Sequence, residues 1–269
     1  METIKNTGDI NNLVENKIIG EIELENSEIK FYGSNNILFC DSGIKIKKSH
    51  INFLGNNTII YLSYTEKDYV LEIYARHNST IFIGKNNEIG VPLNINVQEA
   101  QNVIIGEDNV IGNDVFLRTI DTYPIYDANN GQRINHSESI FIGDHVWIDH
   151  FNYISRGAKI GSGAIVGIHS FIPPMAVVKS NTYVIGNPAR AIDEDVFFTK
   201  NFVGLFKEED TENNSVYESD VFIYDFVNNE TLSMVNIDNI LKGLSVDDRL
   251  DFVQKLFVKN KRKNRFAII

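Results

Sequence analysis

The chain has 269 residues, a hydrophobic content of 43% and a net charge of −11 with an isoelectric point near 5.0. A chain of this length can hold one sizeable core and an appendage, and its acidity argues against a general nucleic-acid binder. No run approaches the roughly 18 apolar residues of a membrane span, and the N-terminal METIKNTGDINN lacks the pattern of a signal peptide.

Four segments of similar form recur in the first part of the chain: FYGSNNILF, FLGNNTIIY, FIGKNNEIG and IIGEDNVIG. Gly and Asn tolerate the left-handed backbone of tight corners. The glycines of these segments are spaced more widely than three hexapeptides, so we expect residues 1–80 to form irregular N-terminal β coils or coils with loops. The single cysteine, Cys40, excludes an internal disulfide and suits a reducing cytoplasm, and we expect a small buried side chain there.

An aliphatic residue returns at every sixth position later in the chain. The column reads Ile142, Ile148, Ile154, Ile160, Val166 and Ile172. A second column, four places further on, is mostly small: Val146, Asn152, Ala158, Ala164 and Ser170. A period of six fits neither a helix of about 3.6 residues per turn nor a plain strand. It fits a solenoid whose coils have three six-residue faces around a common core.

One segment resembles the left-handed parallel β-helix of the hexapeptide-repeat acyltransferases: IFIGDHVWIDHFNYISRGAKIGSGAIVGIHSFIPPMAVVKSNTYVIGNPARAI. Its GNPAR is similar to the sequence at which the chain usually leaves the helix in that family. IDTYPIYDANNGQRIN followed by IGDHVWI is similar to bacterial O-acetyltransferases of cell-surface polysaccharides, including those that acetylate polysialic acid. The likeness covers about residues 80–195. It implies an all-β fold, with a left-handed β-helix core at 81–190, an extruded loop at 119–139 and a small C-terminal α/β appendage at 191–269.

The same resemblance implies a homotrimer that uses acetyl-CoA as donor. The N-terminal pattern and the single cysteine favour a cytoplasmic location. The acceptor would be a bacterial surface glycan such as a capsule polysaccharide, with sialic-acid polymers as the leading candidate. A cyclic assembly would also cover an outward-facing site.

The loop at 119–139 interrupts the sixfold register. Counting from Ile105, the register passes through Ile111 and Leu117 and requires an aliphatic residue at 123, where Tyr123 stands instead. A long loop that leaves a compact solenoid is more often functional than accidental. We therefore expect this loop to project over a neighbouring subunit.

In the resembled acetyltransferases the chain leaves the helix through Asp-x-His-x-Ile, and that His is the general base. The matching residues are Asp121, Tyr123 and Ile125. An imidazole titrates near pH ~6.5 and a phenol near ~10, so Tyr123 can donate a proton but hardly accept one at neutral pH. The resemblance nevertheless assigns the catalytic positions to Asp121, Tyr123 and Trp147.

Three interpretations of Tyr123 remain open. Another base can act: His136 lies in the loop, and His145, expected to face outward, and His150 lie on the next coil. Alternatively, Tyr123 holds the acceptor while proximity alone gives a slow reaction. In the third, the chain has lost its base and keeps the fold and the ligand sites.

Trp147 is the only tryptophan and lies 24 residues after Tyr123. In the resembled sialic-acid polymer enzymes, a His and a Trp at this separation line the catalytic pocket. The register points Trp147 outward. The alternative is an aromatic side chain at a subunit contact, where tryptophan is enriched.

The family likeness places coenzyme A along the outside of the helix, between subunits. Pantetheine would bond to the backbone of the later coils, and the nucleotide would lie near GNPAR. The implied residues are Gly157, Ala158, Gly163, Lys179, Asn187, Pro188 and Arg190. Lys179 or Arg190 would pair with phosphate groups, although Asn-Pro is also a common turn and both cations are ordinary surface residues.

Two other classes compete with this assignment. Some left-handed β-helices are zinc-dependent carbonic anhydrases, and His145 and His150 have the separation of two of their ligands. The third ligand would have to come from EDNVIGNDVF, which has no histidine, so we expect no metal. A non-catalytic trimeric binding or scaffold protein is the second class, and Tyr123 at the base position favours it.

The appendage at 191–269 has a predicted helix followed by a basic end. An amphipathic helix is predicted near its end, with Ser245 as N-cap and an apolar face. That face comprises Val246, Leu250, Val253, Leu256 and Phe257. The last residues are basic: Lys255, Lys259, Lys261, Arg262, Lys263 and Arg265. They form either a cationic arm for a polyanion or a membrane surface, or a solvated helix end with a frayed tail.

Overall fold

The computed structural model describes residues 1–269. The strands, numbered in chain order, are β1 (Glu2–Ile4), β2 (Lys17–Ile19), β3 (Ile22–Glu25), β4 (Glu28–Phe31), β5 (Ile37–Cys40), β6 (Ile44–Lys47), β7 (His50–Phe53), β8 (Ile59–Leu62), β9 (Leu71–Ala75), β10 (Thr80–Ile83), β11 (Glu88–Ile89), β12 (Leu93–Val97), β13 (Asn102–Ile105), β14 (Val110–Ile111), β15 (Val115–Arg118), β16 (Ile140–Ile142), β17 (Trp147–Ile148), β18 (Tyr153–Ile154), β19 (Lys159–Ile160), β20 (Ile165–Val166), β21 (Phe171–Ile172), β22 (Val177–Val178), β23 (Thr182–Gly186) and β24 (Ala189–Glu194). The helices are α1 (Glu208–Asn213), α2 (Met234–Gly243) and α3 (Val246–Val253), with three-ten helices at Thr7–Asn12 and Val203–Leu205 and a π-helical turn at Gln254–Val258.

These strands wind into the left-handed parallel β-helix that the sequence predicts. Face A has the order β1-β4-β7-β9-β12-β15-β18-β21, and face B has the order β2-β5-β8-β10-β13-β16-β19-β22. Face C has the order β11-β14-β17-β20-β23-β24, and β3 and β6 form a separate pair. Neighbouring strands are parallel except at β1–β4 and β23–β24. The coils therefore form a three-sided prism.

The sixfold ladder occupies the interior of this prism. Ile142 pairs with Ile160, and Ile148 pairs with Val166, each one coil apart. All six residues of the aliphatic column are buried and belong to one core cluster of 39 residues. Because each coil buries its apolar side chains only against the next coil, the stack is stable only as a whole. Cys40 is buried in the same core, and burial raises the pKa of its thiol.

The first 80 residues belong to the same continuous stack. Ile37 pairs with Ile59 in the next coil, and the Asn36 side chain accepts from the Thr58 amide 22 residues on. Strands there have four residues, against two in the later coils. Gly33 and Gly55 follow neighbouring strands of face A, and Gly84 and Gly106 follow neighbouring strands of face B, so each pair marks successive coils of one face. A Cβ at Gly33 would clash with the backbone of Gly55 on the next coil, which explains the repeated glycine.

The C-terminal appendage covers face B. The outward side chains Phe39, Tyr61 and Phe82 stack along this face, and Phe82 meets Phe257 at a centroid distance of 5.0 Å. The Ser245 hydroxyl accepts from the Asp248 amide at 3.2 Å, so Ser245 is the N-cap of α3. No helix in the structure combines the length and the apolarity that a bilayer span requires.

The basic C-terminal segment is docked on the prism. The Arg265 side chain is 3% exposed and donates to both carboxylate oxygens of Asp144, at 2.7 and 2.8 Å. The Ser180 amide donates to the Ile268 carbonyl at 2.8 Å. The expectation of a frayed tail is therefore wrong, because a buried ion pair and backbone hydrogen bonds hold this segment. The other cations of the tail are exposed: Lys255, Lys259, Lys261, Arg262 and Lys263.

Candidate active site

The loop at 119–139 leaves the prism at the corner between faces A and B, after β15 and before β16. It folds into a small hairpin in which Tyr126 and Arg133 form an antiparallel bridge. The Gly131 amide donates to the Asp127 carbonyl at 2.9 Å and closes the turn. The loop is therefore an ordered element with its own hydrogen bonds.

Glu99 anchors this hairpin to the preceding coil. Arg133 donates to its two carboxylate oxygens at 2.7 and 3.2 Å, and the Ser137 hydroxyl donates at 2.7 Å. The Arg133 guanidinium, together with Ser137, lowers the pKa of Glu99 to about 2. The carboxylate is thus ionised and bound at neutral pH.

Asn135 fixes the residues at the start of the loop. Its side chain is 1% exposed, accepts from the Ile125 amide at 2.7 Å and donates to the Tyr123 carbonyl at 2.8 Å. It also donates to Asp121, whose carboxylate receives a further hydrogen bond from Arg156 at 3.1 Å. Asp121 therefore holds the loop backbone, while the Tyr123 side chain, 77% exposed, extends into solvent.

Trp147 lies on β17 of face C, with its ring 5.8 Å from that of Phe198. It is partly exposed, as the register predicts. In a three-sided prism the corner between faces A and B is opposite face C. One chain alone therefore does not bring Tyr123 and Trp147 to the same side of the prism.

His145 points away from the apolar core, as expected, but it is buried because the appendage covers it. The ring is 1% exposed, with Nδ1 2.7 Å from Asp108 and Nε2 3.0 Å from the Phe198 carbonyl. It is stacked between Phe198 and Phe222. The chain at 196–222 folds over this corner, which the sixfold register could not indicate.

Both contacts of the His145 ring require it to donate. Although burial raises the pKa of Asp108, hydrogen bonds from His145 and Lys200 hold it below its ordinary value, so the carboxylate is ionised. A carboxylate and a carbonyl can only accept hydrogen bonds. Both ring nitrogens of His145 therefore face hydrogen-bond partners, and neither is free to act as a base.

The other two histidines considered as a replacement base, His136 and His150, differ in their hydrogen bonds. His136 is exposed on the loop, and its carbonyl accepts from Arg156 at 3.3 Å. His150 accepts from the Asn113 amide through Nδ1 at 2.8 Å, so that nitrogen is occupied. No three His, Cys, Asp or Glu side chains are grouped as a metal site.

A cleft of about 480 Å³ lies on face A beside the loop. Its lining residues are Asp121, Phe151, Tyr153, Ser155, His169, Ser170, Phe171, Pro174 and Asn187. His169 is exposed and stacks on Phe151 at a centroid distance of 4.9 Å. The sequence interpretation missed His169. It stands three places after the core residue Val166, as His145 does after Ile142, so the repeat held a signal for it.

The predicted donor-binding residues fall into two groups. Lys179 and Arg190 line one cleft of about 380 Å³ with mostly apolar walls, next to Pro188 in the turn between β23 and β24. Asn187 lines the cleft on face A.

The second group lies at earlier corners of the prism. Ala158 is fully buried, and Tyr224 lies over Gly163. The amides of Gly157, Ala158 and Gly163 already donate to protein carbonyls, and the Ala158 carbonyl accepts from the Phe141 amide. Of these backbone groups, only the carbonyls of Gly157 and Gly163 are left for a ligand. The structure brings Lys179 and Arg190 together but does not place the whole set along one surface.

The coils, the register and the extruded loop define a left-handed β-helix of hexapeptide repeats. No protein-family model matches the sequence. The sequence is 44% identical over 41 residues to the polysialic acid O-acetyltransferase of Neisseria meningitidis, a match that covers 15% of this chain and 19% of that protein.

Solved structures extend this comparison along the chain. The polySia-specific acetyltransferase NeuO aligns with a TM-score of 0.61 and 26% identity, over 74% of this chain and 93% of that chain. The polysialic acid O-acetyltransferase OatWY aligns with a TM-score of 0.58 and 23% identity, over 75% of this chain and 99% of that chain. The resemblance to polysialic acid O-acetyltransferases is therefore confirmed.

Proposed function

We propose that this chain is an acetyl-CoA-dependent O-acetyltransferase of a bacterial surface glycan, with a sialic-acid polymer as acceptor. We further propose that Tyr123 leaves it without the general base of its relatives. The observation that carries the proposal is the anchored loop, which presents Tyr123 at the position that the resemblance assigns to catalysis. Because acetyl-CoA is a cytoplasmic metabolite, a cytoplasmic location is part of the proposal.

The proposed reaction is the attack of an acceptor hydroxyl on the thioester carbonyl of acetyl-CoA. A new ester bond forms as the carbon–sulfur bond breaks, and coenzyme A leaves as the thiolate. The hydroxyl proton goes to a general base or, where the chain supplies none, through water to the departing thiolate. A phenol such as that of Tyr123 can donate a hydrogen bond to the acceptor but is a poor proton acceptor at neutral pH. Positioning of donor and acceptor alone then gives a slow transfer.

A homotrimer would complete this site. The loop that carries Tyr123 leaves the prism at the corner opposite face C, and Trp147 lies on face C. A neighbouring copy is therefore needed to bring the two residues together. The loop also exposes the apolar side chains Ile125, Tyr126 and Ile134. Exposed apolar clusters of this kind are typical of subunit contacts.

The donor would lie in the cleft that contains Lys179 and Arg190. Its apolar walls, which include Val177 and Val178, suit the pantetheine arm, and the two cations suit phosphate groups. Neither cation forms an ion pair with a carboxylate in the structure, so both are free for an anion.

A non-catalytic glycan-binding protein is the competing function, and Tyr123 in place of the base favours it. Transfer of labelled acetyl groups from acetyl-CoA to polysialic acid and to a neutral polysaccharide distinguishes the two. We expect Tyr123→His to acetylate polysialic acid far faster than the unchanged chain, and Trp147→Ala in that background to reduce the rate. If neither chain transfers acetyl to any acceptor that it binds, the enzyme proposal is wrong.

A further inference from the structure

One arginine on face A has no charged partner. The other charged side chains on the strands of this face have partners: Lys30 lies 2.6 Å from Glu28, His50 lies 3.0 Å from Glu72, and Glu2 accepts hydrogen bonds from Val14 and Asn16. Arg118, on β15, makes only one long side-chain hydrogen bond, to the Thr122 hydroxyl at 3.4 Å. Its Nε is buried without any acceptor. In a chain of net charge −11, this unpaired guanidinium lacks the carboxylate that its fork geometry fits.

An aromatic strip continues from the same strand. Phe116 is 41% exposed, and its ring is stacked on that of Tyr153 at a centroid distance of 6.4 Å. Tyr153 in turn lies 5.9 Å from Phe171, on the next coil. Tyr153 and Phe171 also line the cleft that contains Asp121. The strip therefore leads from Arg118 to the edge of the catalytic loop.

We infer that Arg118 and the strip of Phe116, Tyr153 and Phe171 bind an acidic saccharide, with a sugar carboxylate on the Arg118 guanidinium. Aromatic rings offer apolar surfaces for the CH faces of sugar rings, and a guanidinium binds a carboxylate through two parallel hydrogen bonds. The inference rests on the proposed function and names the acceptor group that selects an acidic glycan. Parallel strands about 4.8 Å apart repeat the aromatic surface from coil to coil, which suits a linear polymer.

Binding of sialic-acid oligomers, measured without acetyl-CoA by titration calorimetry, tests this site. We expect Arg118→Gln to weaken binding about tenfold or more, because a charge-assisted hydrogen bond pair is lost. Arg118→Lys keeps the charge without the planar fork and should recover only part of the affinity. Arg262→Gln removes the same charge from an exposed position of the C-terminal segment and should bind like the unchanged chain.

A second ligand separates charge recognition from stacking. Oligomers whose carboxylates are reduced to alcohols should bind weakly, and equally to the unchanged chain and to Arg118→Gln. Equal affinity of both chains for the acidic oligomer overturns the inference. So does a loss of the oligomeric state in Arg118→Gln, since face A is then a contact between copies of the chain.

The binding measurement and the acetyl-transfer measurement test the two proposals separately. A chain that binds the acidic oligomer through Arg118 and never transfers acetyl contradicts only the acetyltransferase proposal. A chain that transfers acetyl to polysialic acid equally well with and without Arg118 contradicts only the present inference.

Discussion

Two polar residues determine the shape of the loop that carries Tyr123. Asn135 binds the loop backbone from inside, and Glu99 holds Arg133 from the preceding coil. A buried amide with all its partners present costs little, whereas removing one partner leaves unpaired groups. The exposed Tyr123 side chain thus stands on a rigid base, although no hydrogen bond holds its hydroxyl.

Replacing Glu99 with Gln should loosen the loop at neutral pH. The substitution removes the charge that binds Arg133, so amide hydrogen exchange across 119–139 should rise while exchange in the core strands stays constant. Glu138→Gln is a matched control, because Glu138 forms no ion pair. Unchanged exchange in Glu99→Gln would contradict the anchoring role.

The same anchor predicts an acid dependence. Arg133 lowers the pKa of Glu99 from 4.5 to about 2, so the ionised form favours the folded loop. Its stabilisation is therefore complete above about pH 4.5 and is lost as the pH falls towards 2. The carboxyl carbon resonance of Glu99 should titrate near pH 2, and titration near its ordinary value would show that the ion pair is absent.

Single residues show where sequence interpretation stops. The burial of Ile148 and Val166 follows from the sixfold period, since that period is set by the shape of the coil itself. The environment of His145 does not follow from it. A segment more than 50 residues further along the chain supplies Phe198 as a partner, and no local pattern encodes such a contact.

The C-terminal segment gains its order from one corner of the prism. Arg265 is held by Asp144 and also donates to the carbonyls of Phe257 and Asn260. The surrounding rings of Tyr61, Phe82 and Phe257 exclude water from face B. From the sequence the helix α3 and its N-cap were predictable, but the docking of the basic tail depends on a partner 121 residues away.

Asp144→Asn should release this segment. Removing one member of a buried ion pair costs about 3–5 kcal/mol. We expect the lower end of that range here, because Glu107 lies 3.5 Å from the Arg265 guanidinium and remains as a weaker partner. We expect faster proteolysis after residue 258 and exposure of the aromatic surface of face B, measured by binding of a hydrophobic dye. Lys261→Gln breaks an exposed pair with Glu107 and should have little effect. Equal protection of both variants would show that the ion pair does not hold the segment.

At the scale of the whole molecule, the appendage covers face B and reaches over the corner towards face C, where Phe198 contacts Trp147, and it leaves face A open. Face B is covered, while the loop with Ile125 and Ile134 extends from the corner beside it. The fold was predictable because every coil repeats the same pattern. The distribution of covered and open faces was not, since it depends on how the appendage packs.

Sedimentation equilibrium should give a mass about three times the 30.5 kDa of one chain. Ile134→Asp places a charge in the exposed apolar loop and should shift the mass towards that of a monomer. Val216→Asp makes the same kind of change at an exposed site of the appendage and should leave the mass constant. A monomeric unchanged chain would rule out a site shared between copies.

The pH dependence of acetyl transfer to polysialic acid, compared among the unchanged chain, Tyr123→His and Tyr123→Phe, tests the central claim most directly. A base at position 123 predicts that only Tyr123→His gains a rise in kcat/KM with an apparent pKa near ~6.5. General-base catalysis should make it about 10² to 10⁴ times faster than the other two chains. If the unchanged chain is already as fast and has the same pH profile, the base lies elsewhere, and His169 beside Asp121 becomes the residue to replace.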